Sequence, residues 1–110
     1  MAQPSEHNQR FRKSHPEVWK AFSTLAEACH SDGPLDEKTR RLVKLAFALG
    51  SGLEGATHSA VRHAQDAGIS RAEMTHVAML GITTLGFPSA MRAISWIEDY
   101  EPEKRVPRVP

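Results

Sequence analysis

The chain has 110 residues, 40% hydrophobic and 25% charged, and fourteen Lys and Arg against thirteen Asp and Glu leave a formal net charge of +1. That is the profile of one soluble globular domain, long enough to bury a core of its own, and the near-neutral balance gives no electrostatic case for nucleic acid as the main partner. Cys29 is the single cysteine, which excludes an intrachain disulfide and any Cys-Cys metal or redox motif and makes the cytoplasm the expected compartment. The N-terminal stretch carries no apolar run of signal-peptide type, and no segment approaches the roughly 18–20 apolar residues of a membrane span, so no membrane partner is expected.

In chain order, residues 1–13 and 101–110 are polar, the second with Pro102, Pro107 and Pro110, and are expected to be a loosely ordered head and tail around a helical domain at 14–100. Apolar residues between them recur at helical spacing, without the period-two alternation of strands, which predicts an all-α fold of five helices. The first is expected over about Pro16–His30, with Ser14 or His15 as cap, Pro16 at the first helical position and a stripe of Val18, Trp19, Phe22, Leu25, Ala26 and Cys29. Asp32-Gly33-Pro34 ends it. The second starts near Leu35 or Asp36, and its Leu42, Val43, Leu45, Ala46, Phe47 and Leu49 make it apolar nearly all round. Such a helix must be covered on more than one side, so we expect a homo-oligomer. After Gly50-Ser51-Gly52, the third helix spans Leu53–Ala67 and closes at Gly68. Ser70-Arg71-Ala72-Glu73 is a capping box that opens the fourth, running through Met74, Val77, Ala78, Leu80 and Ile82 to a stop at Gly86-Phe87-Pro88. The fifth covers about Pro88–Tyr100 and is expected to bury Met91, Ile94 and Ile97 or Trp96.

The order of these motifs, Leu35-Asp36-Glu37-Lys38-Thr39-Arg40, then Val61-Arg62-His63-Ala64, Ala67-Gly68-Ile69-Ser70-Arg71-Ala72-Glu73 and Leu85-Gly86-Phe87-Pro88-Ser89-Ala90, resembles the carboxymuconolactone decarboxylase and alkylhydroperoxidase-D-like family. The resemblance covers about residues 16–100 and implies an alkylhydroperoxidase-D-like bundle that assembles into trimers or hexamers, with its active-site residues on the third helix. It implies one of two activities. The peroxidase branch uses Cys-x-x-Cys-x-x-x-His on the third helix and a glutamate on the second, whereas the decarboxylase branch lacks the cysteines and works without a cofactor, keeping the histidine. Counted back from Gly68, the family cysteines fall on Leu53 and Ala56, the histidine on Ala60 and the glutamate on Arg41. All four are changed. The face carrying positions 53, 56, 60, 64 and 67 is Leu-Ala-Ala-Ala-Ala, which offers a peroxide no nucleophile there.

What remains for chemistry is His58, in His58-Ser59-Ala60. Glu54, His58 and Arg62 stand at i, i+4 and i+8, one ladder in which a carboxylate can orient the imidazole for acid-base work and the guanidinium can hold a substrate carboxylate. The ladder lies about 140° round the helix from the small-residue face, so a single subunit would point it at solvent. His30, His63 and His76 complete no His-x-x-x-His with an adjacent carboxylate, so no metal site is expected, and Cys29 reads as a small buried hydrophobe at a helix end. The aromatic residues read as core or interface, and the basic residues of head and tail as solvated ends. The expected protein is therefore a cofactor-free acid-base enzyme for a small carboxylated metabolite or lactone, with His58 and Glu54 catalytic and Arg62 binding substrate. Two alternatives stand beside it: the peroxidase activity the family name suggests, which the missing cysteines oppose, and a catalytically inactive oligomeric binding or structural protein.

Overall fold

The structure, a computed structural model, describes residues 6–99; the expected tail 101–110, with its basic cluster, and Tyr100 lie outside it. Every regular element among the described residues is a helix: α1 (Glu6–Ser14), α2 (Pro16–Ser31), α3 (Glu37–Ser51), α4 (Glu54–Asp66), α5 (Arg71–Leu80), α6 (Ile82–Leu85) and α7 (Phe87–Glu98). The chain divides into two compact units, the boundary falling between Asp36 and Glu37.

The first unit holds α1 and α2. Glu6–Ser14, expected as part of a loose head, is helical. Its charges are arranged for it: Glu6 sits in the first turn and Arg12 and Lys13 in the last, each opposite in sign to the local helix dipole, and Arg10 reaches Glu6 one turn back at 3.8 Å. Phe11 then anchors the segment, its ring 5.1 Å from His15 and 6.3 Å from Trp19, over which Arg12 also packs. A polar composition concealed that single aromatic anchor. In α2, Pro16 takes the first helical position after His15 as expected. Its apolar stripe is not covered: Val18, Phe22 and Leu25 are 58%, 60% and 60% exposed, and no residue of α2 is buried. Cys29 shares that exposure, against the expectation of a buried thiol.

The second unit packs α3 against α4 and α5, and α7 against α4, α5 and α6. Its core is Leu45 and Leu49 from α3, Val61 and Ala64 from α4, Ile69, Met74 and Ala78 around α5, and Ala93 and Ile97 from α7. The Ser70 capping box forms as expected, the hydroxyl accepting from the Glu73 N–H and the Glu73 carboxylate from the Ser70 N–H. Lys38 of α3 pairs with the same carboxylate. The hydrogen bond from the Lys38 ammonium, then the capping N–H of Ser70, holds the Glu73 carboxyl below its ordinary value.

One helix end and one buried face differ from expectation. The fourth helix stops at Leu80 rather than running through Ile82, because the chain folds tightly at Gly81: a Cβ there would stand 3.2 Å from both the Ala78 carbonyl oxygen and the Leu85 side chain. The fifth helix buries Ala90, Ala93 and Ile97, leaving Met91 exposed and Ile94 and Trp96 half-buried. Small residues let α7 approach its neighbours closely, so the larger apolar side chains flank the contact.

Candidate functional site

The turn between α3 and α4 sets the start of the site. Gly52 has φ +71, a left-handed conformation that calls for glycine, and the Arg92 guanidinium lies 3.0 Å from where its Cβ would stand. Ser51 closes the turn, its hydroxyl donating to the Ala48 carbonyl at 2.7 Å and accepting from the Leu53 N–H at 3.2 Å. Thr57, fully buried, donates its hydroxyl to that same carbonyl at 3.3 Å. This bond turns α4. Its buried face is Thr57, Val61 and Ala64, with Ala60 at its border, rather than the expected row at 53, 56, 60, 64 and 67, of which Leu53, Ala56 and Ala67 are exposed. A threonine reads as surface in a sequence, but here its hydroxyl finds an acceptor inside.

That shift moves the Glu54–His58–Arg62 ladder from the far side of α4 to its flank, about 100° from the buried face at 100° per residue, where α7 packs. The His58 side chain is 19% exposed instead of solvated. Its Nε2 lies 3.3 Å from Asp99 Oδ2 and 3.8 Å from Glu54 Oε2, and its ring meets Trp96 edge-on at 6.3 Å. Arg92 covers Trp96, its guanidinium carbon 5.3 Å from the ring centroid. Arg62 is half-buried one turn beyond His58 on the same flank.

The structure thus brings Glu54 and His58 together and adds Asp99, Trp96 and Arg92, which sequence reasoning missed. Positions 92, 96 and 99 do share one face of a helix, a signal readable in the chain. Nothing local to them says that α4 is what this face meets, 41 residues away in the sequence at His58. His63 is placed elsewhere, its Nδ1 within 2.9 Å of the Ser59 carbonyl oxygen. At the position of the family glutamate, Arg41 is held by Glu37 at 2.9 Å. The positions of the family cysteines, Leu53 and Ala56, are exposed and carry no ionisable group.

Fold and site together describe a small all-helical protein whose ionisable groups converge on one histidine between two helices. The chain belongs to the carboxymuconolactone decarboxylase family, whose model matches residues 16–99. Among solved structures it is similar to the apo form of a carboxymuconolactone decarboxylase family protein from Legionella pneumophila, at 29% identity and a TM-score of 0.76, covering 90% of this chain and 88% of that one. No curated protein matches the chain. None of the helices among the described residues is long and apolar enough to cross a membrane.

Proposed function

We propose that this family member is a cofactor-free acid-base enzyme acting on a small carboxylated metabolite or lactone in the cytoplasm, and that it works as a homo-oligomer, a trimer or hexamer. The observation that supports it is the setting of His58: one imidazole, mostly shielded from solvent, with a carboxylate from each of two helices beside its Nε2. In this reading His58 exchanges a proton with the substrate. Asp99 and Glu54 hold the ring in place and balance its charge while it carries the proton. Arg62 receives the substrate carboxylate by a two-pronged hydrogen bond, and Trp96 supplies an apolar wall that keeps the ring from reorienting.

A thiol peroxidase is disfavoured on this chain's own residues. The cycle the resemblance implies needs two cysteines on α4, and the single cysteine, Cys29, stands on α2.

The test is a screen against carboxylated lactones and small β- and γ-carboxy acids, comparing wild type with His58→Ala and His63→Ala after light scattering shows the particle size unchanged. General acid-base participation is worth about 10² to 10⁴ in rate, so His58→Ala should lose at least a hundredfold in kcat while His63→Ala stays near wild type. Equal turnover in wild type and His58→Ala rejects the reading. A chain that binds such acids without turning them over is the oligomeric binding protein instead.

A further inference from the structure

The arrangement at His58 has a property that proton transfer does not use. Three lone-pair donors, Nε2 of His58, an oxygen of Glu54 and Oδ2 of Asp99, lie within 4.8 Å of one another. They come from both α4 and α7, and the two carboxylates add negative charge around a nitrogen lone pair. The three atoms stand close enough together to be shared by one cation. We propose that Glu54, His58 and Asp99 form a binding site for a divalent transition cation, of which Zn²⁺ is the representative.

The donor set selects the class of ion. One imidazole nitrogen with two carboxylate oxygens suits Zn²⁺ and its neighbours, whereas Mg²⁺ takes oxygen and water in octahedral geometry. With metal–ligand bonds of about 2.0–2.2 Å, tetrahedral ligands stand roughly 3.3–3.6 Å apart. The His58–Asp99 separation of 3.3 Å already meets this, and the Glu54 oxygen at 3.8 Å is close to it. Glu54 and Asp99 are 61% and 55% exposed, so their carboxylates can rotate the remaining distance, while the half-buried imidazole stays fixed against Trp96. Three protein ligands leave a fourth position to water or to an incoming carboxylate. The charged groups around Nε2 are Glu54 and Arg62 along α4 and Arg92 and Asp99 along α7. The guanidinium of Arg92 is turned over Trp96, and the two carboxylates are the groups within 3.8 Å of Nε2.

The inference rests on the same site as the acid-base reading, where a bound cation would inhibit proton transfer, but binding itself is independent of activity. The experiment is competition with a chromophoric chelator, using Zn²⁺ as the probe, on the metal-stripped full chain. One Zn²⁺ per chain is expected at pH 7.5 with a dissociation constant in the micromolar range, weakened at least tenfold in Asp99→Asn and in Glu54→Gln and lost in His58→Ala. Mg²⁺ in excess should not displace the metal. Helical circular dichroism unchanged in each variant shows that the loss is one of ligands and not of fold. Zn²⁺ binding that survives His58→Ala, or that is lost instead in Cys29→Ser, His30→Ala or His63→Ala, overturns the proposal, as does the absence of binding in the wild type. Zn²⁺ bound as expected with no turnover in the screen above would sink the enzyme reading and leave the metal site standing.

Discussion

Glu73 shows how one side chain can serve two ends of the fold: it caps α5 through the Ser70 N–H and pairs with Lys38 of α3. Both act on the carboxylate, and its carboxyl is held below the ordinary value of 4.5. A group whose acid constant is depressed in the folded chain contributes stability above its unfolded value, and that contribution disappears as pH falls through the folded value. The pair is solvent-screened and the effect accordingly modest. Glu73→Gln keeps an acceptor for the cap but removes the charge, so its thermal midpoint should fall below wild type at pH 7 and converge with it near pH 3. A gap as wide at pH 3 as at pH 7 would show that the charge on Glu73 contributes nothing. The same scale explains what the sequence offered at the candidate site. Glu54 and His58 were legible because i, i+4 spacing on one helix makes neighbours of any fold. Asp99 was not, since its proximity to His58 depends on where α7 crosses α4.

At the scale of elements, caps and breaks follow local chemistry, and those features were readable. Ser70 to Glu73 opens α5 as a capping box, and Pro16 starts α2. Which face turns inward was less readable on α3, which has apolar residues on more than one side. On α3, Leu45 is fully buried and Phe47, two residues on, is 74% exposed, although both are large and apolar. Leu45→Ala should therefore cost about 2–5 kcal/mol in chemical denaturation, through lost burial and the cavity left behind. The corresponding change at Phe47 should cost well under half as much under conditions where the chain is monomeric. Equal losses would mean that α3 buries a different face.

For the whole molecule, the exposed apolar residues gather into a requirement. Phe47 and Val43 on α3, Leu53 beside α4, Leu80, Leu85 and Phe87 around α6, and the Val18–Phe22–Leu25 stripe of α2 all remain at the surface. Scattered single residues need no explanation, but an uncovered stripe on a helix with no buried residue does. The proposed assembly supplies the cover. Light scattering at micromolar concentration should give a particle several times 12.2 kDa, and Phe47→Glu should shift it to smaller species while leaving the helical content unchanged. A wild-type particle of one chain would remove both the assembly and the explanation for this surface.

The sequence by itself determined that the protein is helical, most of the helix boundaries, the capping box and the membership that its ordered motifs suggested, because these rest on periodicity and on contacts within four residues. It also fixed what the α4 site does not contain: no cysteine stands at Leu53 or Ala56. Tertiary structure alone decided three things. The hydroxyl of Thr57, satisfied by the Ala48 carbonyl, set the rotation of α4 and so brought the ladder to its flank. Close packing at Ala90 and Ala93 set the path of α7 and delivered Asp99 and Trp96 to His58. A tight turn at Gly81 split the expected fourth helix into α5 and the short α6. Each depends on a partner distant in sequence or on a side chain too small to show in a hydrophobic pattern, and neither kind of information is carried by spacing along one helix.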